Sequence, residues 1–298
     1  MYKIIVIIIT YNAKKWIDKC IGSTNQSTIP LDVLIVDNGS TDGTQNHIKT
    51  LYPNIIFKQN NTNLGFGKAN NIGMQYAIDN DYDYIYLLNQ DAWLMPATIE
   101  KLVAIHKSNP QYGILSPYQL QANMEHIDKN FGMWVCSWDS NKDILEDLYF
   151  KRKKEVYAVP EVMAAHWLIS KECLFKVGGF SPTFPHYGED NNYANRTWYH
   201  GYKVGIVPNA IAVHDREYRK ESTSICIYKL AFIRNLILLS SIHIPSSKQI
   251  AKIIWNIFET AFRFKSFLPF KYCFLLISRY SKTIQNMRVS KSSHAFLS

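Results

Sequence analysis

The 298-residue chain is 47% hydrophobic and carries a formal charge of +9, so it holds enough apolar side chains for a sizeable core, in one large domain with or without an appendage. The charge is uneven: residues 225–298 carry eleven Lys or Arg against one acid, Glu259, while residues 1–224 are close to balance. A basic, apolar tail suits an anionic membrane surface or is a solvated face, and the absence of a base-reading module sets nucleic acid aside.

In chain order, Lys3–Thr10 reads as a strand and Lys14–Ile21 as a helix. The start is too short to span a membrane, and no small-residue cleavage site follows it, so it is not read as a signal peptide. Val33–Val36 is a strand closing at Asp37. Helices over Thr44–Leu51, Phe66–Ile78 and Ala97–His106 then alternate with strands over Ile55–Lys58, Tyr84–Leu88 and Ile114–Pro117. This alternation predicts an α/β fold with a mainly parallel central sheet flanked by helices. Residues 119–160 read as a hairpin or loop region, and residues 161–215 as a mixed pattern. From residue 225 the reading is helical, with an amphipathic stretch over Lys248–Phe267. The five scattered cysteines contain no CxxC pair, which argues against a zinc site and a disulfide framework and fits reduced thiols in the cytoplasm.

Ligands of such sheets sit at the carboxyl ends of the strands. Tyr11-Asn12, Asp37-Asn38-Gly39-Ser40 and Asn89-Gln90-Asp91 all follow strands there. In the second of these, Thr41 or Asp42 can cap the next helix, which leaves Asp37 at the strand end to meet a base or ribose. Asn63-Leu64-Gly65-Phe66-Gly67 opens a helix with glycines that let backbone approach a phosphate or sugar. Spaced by two along an extended chain, Asn89 and Asp91 should point the same way, an arrangement suited to a hard cation shared with a diphosphate. Glu189-Asp190 opens a helical stretch, either as partners of its dipole or as a general base. His214 follows an apolar run and suits a structural role or a metal ligand.

Together these segments resemble the family 2 glycosyltransferases of the GT-A fold, in its bacterial rhamnosyltransferase-like branch. The matching elements are Thr10-Tyr11-Asn12, VDNGSTDGT (36–44), NTNLGFGKANNIG (61–73), LLNQDA (87–92), GGF (178–180), GED (188–190) with Arg196, and His214. The resemblance covers residues 1–215. It implies a GT-A nucleotide-sugar-binding domain over 1–222 and a basic, amphipathic helical region over 223–298. Thr10, Tyr11 and Asp37 would hold a uracil or thymine base and its ribose. Asn12, Asn38, Gly39, Ser40, Asn63, Gly65, Phe66, Asn70, Asn89 and Gln90 would line the rest of the donor pocket. Asp91, in the place of the family's DxD, and His214 would hold Mn2+ or Mg2+. Asp190 would be the catalytic base and Glu189 its neighbour.

Three departures stand out. Asn89 replaces the first Asp of DxD, Asn191-Asn192-Tyr193 replaces an apolar-Asp-Leu run, and the QxxRW of processive synthases is missing. The resemblance therefore implies an inverting, single-sugar transfer from a UDP- or dTDP-sugar to a glycan or polyprenyl-linked acceptor. It would serve surface polysaccharide synthesis at the cytoplasmic face of the bacterial membrane. The competing readings are a sugar nucleotidyltransferase, which would release pyrophosphate, and a non-catalytic nucleotide-sugar-binding subunit.

Overall fold

A computed structural model describes residues 2–137, 142–184, 186–216 and 223–297. The first half runs β1 (Ile4–Thr10), α1 (Ile17–Asn25), β2 (Asp32–Asp37), α2 (Thr44–Leu51), β3 (Ile56–Gln59), α3 (Phe66–Asp79), β4 (Tyr84–Asn89), β5 (Ala92–Leu94), α4 (Thr98–Ser108) and β6 (Tyr112–Leu120). The second half runs α5 (Lys129–Ser137), α6 (Lys142–Tyr149), β7 (Tyr157–Val159), β8 (His166–Ser170), α7 (Lys171–Val177), α8 (Glu189–Tyr199), β9 (Lys203–His214), α9 (Thr223–Leu239), α10 (Ser246–Arg263) and α11 (Leu268–Val289).

Among the described residues the strands form one sheet in the order β3-β2-β1-β4-β8-β6-β9-β5, with β7 paired to β9. The β3-β2-β1-β4 half is parallel throughout, as the alternation of strand and helix requires. In the other half β8 runs antiparallel between β4 and β6, and only the β6–β9 pair is parallel. β1 explains why its sequence lacks polar alternation. Ile5 and Ile7 join the core under α3, whereas Ile4, Val6 and Ile8 join the core under α1 and α4, so both faces are dry. At Gly73 of α3 an added Cβ would lie 2.5 Å from Ile7, which is why the helix can sit so close to the strand.

Residues 119–160 differ from the expected hairpin or loop. They carry α5 and α6, and α5 packs Phe131 and Val135 into the core with Ile144 of α6. The boundary expected after residue 222 falls at the end of residues 217–222, which lie outside the described residues. Beyond it, α9, α10 and α11 share a small core of Phe184, Leu236 and Leu276. The last residues return to the sheet domain: Gly179 N–H donates to Ala295 O at 2.8 Å, and His294 N–H donates to Phe175 O at 3.1 Å.

This strap requires glycine at Gly178, where φ is +82° and an added Cβ would run into the backbone of Ala295. Gly201 has φ +88° but open space around it. Gly201→Ala should cost about 1 kcal/mol for the left-handed backbone alone. Gly178→Ala should cost about 3 kcal/mol, because overpacking adds to that strain. Urea-unfolding midpoints compare the two, and equal costs would show that the strap does not dock as described.

Candidate active site

The parallel register sets the carboxyl ends of three strands side by side, with Thr10 opposite Asp37 and Ile9 opposite Asn89. Asp37 is fully buried and accepts five hydrogen bonds. Oδ2 takes the hydroxyls of Thr10 (2.8 Å) and Ser40 (2.5 Å). Oδ1 takes the amides of Gly39 (3.1 Å) and Ser40 (2.9 Å) and the side chain of Gln45 (2.7 Å). Its carboxylate is therefore turned into the protein, and the side chain that stands free at this corner is exposed Tyr11. Gln90 fixes Tyr11 by its backbone, accepting from Tyr11 N–H at 2.7 Å and donating to Tyr11 O at 3.2 Å. Asn12 takes a positive φ of 53°, and its Oδ1 accepts from Thr41 N–H at 2.8 Å, which joins the exits of β1 and β2.

The start of α3 forms the adjoining wall. Gly65 has φ 83° and ψ 168°, a conformation open to glycine alone. Asn63 Oδ1 accepts from its N–H at 2.9 Å, and Asn38 Nδ2 donates to its carbonyl at 3.4 Å. Asn70 donates to Phe66 O at 3.0 Å, so its amide braces the first turn of the helix. Phe66 packs edge-on against Phe180 at 5.7 Å. At Gly67 an added Cβ would lie 3.0 Å from Phe180 and 4.0 Å from Glu189, so α3 and the start of α8 meet.

β4 ends at Asn89, and Gln90-Asp91 turn into β5. The extended geometry expected to align Asn89 with Asp91 is thus absent, because the chain must reverse to pair Ala92 with His214 on β9. That pairing brings His214 Nε2 to 3.3 Å from Asp91 Oδ1. Burial pushes the Asp91 carboxyl up, but the His214 hydrogen bond and charge, with the Arg216 charge, outweigh it and hold the group below the usual carboxylate range. His214 Nδ1 is buried without a partner among the described residues. Behind it His166, bonded to Tyr86 and Val213 O at 3.0 Å each, is held neutral by burial and by the His214 charge, which pull its pKa down to about 3.

α8 begins at Glu189 in αL-capped geometry after Gly188. Asp190 Oδ1 accepts from Asn191 N–H at 2.9 Å, and the Ala164 amide adds a second donor. The neighbouring Ala165 carbonyl accepts from Asn89 N–H at 3.1 Å, so the two residues tie α8 to the end of β4. Burial raises the Asp190 carboxyl above the usual range, against these donors and the Arg216 charge. Glu189 is buried with Oε2 unpartnered, and burial plus the Asp190 charge push it up to about 8. Glu161, half-buried and bonded to Asn191, reaches about 7, chiefly through burial.

Asp37, Asp91 and Asp190 thus surround one edge of the sheet. Sequence reasoning missed Glu161, Arg216 and Asp128. Arg216 donates from Nε to buried Asp128 at 3.0 Å, and its charge acts on both Asp91 and Asp190. Its position two residues past His214 was a usable signal, but Glu161 offered none. Among the described residues no three His, Cys, Asp or Glu side chains converge as a metal cage. Asp91 and His214 fit a cation that takes its remaining ligands from a diphosphate and water.

The family model for glycosyl transferase family 2 matches residues 5–157. An N-acetylglucosaminyl-diphospho-decaprenol L-rhamnosyltransferase of Mycobacterium tuberculosis is 25% identical over 234 residues, covering 72% of this chain and 76% of the relative. The crystal structure of S. aureus TarS 1-349 in complex with UDP-GlcNAc aligns with a TM-score of 0.58 at 15% identity, over 97% of this chain and 81% of that one. The chain spans 43% of the longer TarS chain. The mannosyltransferase PcManGT of Pyrobaculum calidifontis, in complex with GDP-Man and Mn2+, aligns with a TM-score of 0.57 at 17% identity, over 97% and 83%. The shared fold is GT-A.

The raised carboxylates set a pH dependence of stability. Above about pH 4.5 the unfolded chain ionises these acids while the folded protein keeps them protonated, so stability falls as pH rises. The fall continues until the native groups ionise, near pH 7 for Glu161 and pH 8 for Glu189. Glu189→Gln should therefore gain stability over wild type progressively between those limits and little below them. Urea midpoints across pH measure this, and an offset that does not change with pH would contradict it.

Proposed function

The chain belongs to glycosyl transferase family 2, and from that membership together with the site geometry we propose that it is an inverting, non-processive glycosyltransferase with Asp190 as its general base. The observation that carries the reading is a division of labour along one sheet edge. Asp190 is held more basic than an ordinary carboxylate, while Asp91, beside His214, is held anionic. A proton acceptor and a diphosphate-side anion pair need these opposite environments.

In this reading the donor is a UDP- or dTDP-sugar. Exposed Tyr11 stacks on the base, and Asn12, Asn38, Gly39 and Ser40, folded around Asp37, line the ribose side. Asn63, Gly65, Phe66 and Asn70 form the opposite wall, and Asn89 and Gln90 floor the pocket. Asp91 and His214 hold Mn2+ or Mg2+, as the Mn2+ in the PcManGT complex suggests. When bound, the cation supplies charge neutralisation for the departing diphosphate. Arg216, steadied by Asp128, adds a positive charge on the same side.

The acceptor hydroxyl attacks the anomeric carbon as Asp190 takes its proton. The bond to the diphosphate oxygen breaks with its electron pair, and one displacement inverts the anomeric centre. Glu189, protonated near neutral pH, adds no second negative charge beside the base. The mycobacterial relative is named for a lipid-diphosphate-linked acceptor. We extend that class, a glycan on a polyprenyl diphosphate, to this chain, with the basic tail on the cytoplasmic face of the membrane.

Asp190→Asn should lower turnover by about a hundredfold or more, the usual scale for a positioned base, with little change in donor affinity. Nucleoside diphosphate release and donor titration read the two effects. Full turnover in the variant removes Asp190 from the role. Chelation should abolish release and added Mn2+ or Mg2+ restore it, with Asp91→Asn insensitive to the added metal.

A further inference from the structure

α10 turns two amides inward beside Ile253 and Ile257, and aromatic rings outward. At 100° per residue, Gln249, Ile253 and Asn256 fall on the face turned to α9, and Trp255, Phe258 and Phe262 fall on the opposite face. The inward polar groups find partners: Gln249 Nε2 donates to Ser241 O at 2.6 Å, and Asn256 Nδ2 to Asn235 Oδ1 at 2.9 Å. Outside, Trp255 is 70% and Phe262 89% exposed, and the surface continues through Phe267, 89% exposed, to Phe274 and Ile277 of α11. A water-facing helix turns its amides out and its rings in, so this face is finished for an apolar neighbour.

The margin of the stripe says what that neighbour is. Lys248, Lys252 and Arg263, with the single acid Glu259 among them, follow one flank of α10. There α9 and α10 leave an open groove of about 200 Å³, with Arg234 and Arg263 beside Glu259, Thr260 and the apolar Leu230, Ala231 and Phe264. Among the described residues neither arginine is ion-paired. A protein partner would need a matching acidic and apolar face in fixed register, whereas an anionic bilayer offers both in any register. Among the described residues no helix is long and apolar enough to cross a membrane.

We propose that Trp255, Phe258 and Phe262, continued by Phe267, Phe274 and Ile277, seat α10 and α11 in the interface of an anionic bilayer, with Arg234 and Arg263 holding a lipid phosphate in the adjoining groove. This deepens the membrane reading of the basic tail and rests on it. It does not depend on the catalytic roles. Its geometric consequence concerns α8: at Gly188 an added Cβ would lie 3.1 Å from Ile233 of α9. The helix that carries Asp190 therefore starts directly on the layer that meets the lipid.

Co-sedimentation of the full chain with phosphatidylcholine vesicles, with and without phosphatidylglycerol, tests this. Wild type should bind the anionic vesicles and release at high salt. Trp255→Ser/Phe262→Ser should lose about tenfold or more in affinity for them. Arg234→Gln/Arg263→Gln should lose the preference for phosphatidylglycerol and keep the weak binding to neutral vesicles. Both variants should keep wild-type circular dichroism and donor hydrolysis. Wild type left in the supernatant at low salt overturns the whole membrane reading. Undiminished binding by the Ser variant overturns this placement alone. So does a wild-type dimer, by sedimentation velocity, that the Ser variant abolishes without changing vesicle binding. Loss of hydrolysis in Asp190→Asn bears on the catalytic reading and leaves this one intact.

Discussion

The shape of the cleft depends on how one buried negative charge is satisfied. Asp37 ends β2 away from water, and a carboxylate there is tolerable only when donors surround it. Its register partner Thr10 supplies one, and Gly39, Ser40 and Gln45 supply the others. To deliver them, residues 38–45 must fold back over the strand end, Gly39 must take a φ of 77°, and α2 must start where Gln45 reaches the carboxylate. Asn12 then joins β1 to the same turn. The wall beside Tyr11 is thus shaped by the needs of a single group.

The carboxylates at the start of α8 are the opposite case. Among the described residues Glu189 has a buried oxygen without a hydrogen-bond partner, and Asp190 has only backbone amides to lean on. Among the described residues the cation that acts on Asp190 is Arg216, which is committed to Asp128 at 3.0 Å, so it moderates Asp190 without quenching it. Asp91, with a histidine at 3.3 Å, sits low on the same edge. Uneven supply of donors sets Asp37, Asp91 and Asp190 apart, as the roles proposed for them require.

The same logic explains what the sequence revealed. Apolar strands alternating with helices needed only local pattern, so β1 to β4, β6 and their helices could be read directly, and the polar strand ends marked one edge. α5 and α6 could not be read this way: they stand outside the strand–helix alternation, and they are held where Phe131 and Ile144 find the core. The turn at Gln90-Asp91 escaped because it is dictated by the pairing of β5 with a strand more than a hundred residues away. Glu161 escaped for a similar reason. It is bonded to Asn191 and feels the Asp190 charge, both distant in sequence, and nothing next to it in the chain reports that.

Composition divides the chain near residue 222, but the described contacts cross that line at α8. Arg196 is fully buried and, among the described residues, in no ion pair, and burial pulls its pKa down to about 10. A guanidinium in that position must be held by carbonyls and ring faces. It donates to Val177 O and, at 2.5 Å, to Gly179 O, and it lies 5.6 Å from the ring of Tyr193 and 4.9 Å from that of Phe296. Phe296 belongs to the C-terminal strap, and Gly179 binds that strap through its own N–H. On another side of α8, Asn192 donates to Ser240 at 3.3 Å, just past the end of α9. The helix that presents Glu189 and Asp190 is therefore clamped between the sheet domain and the basic helices. Its two flanks are thus fixed by groups from both parts of the chain, Gly179 and Phe296 on one side and Ser240 on the other.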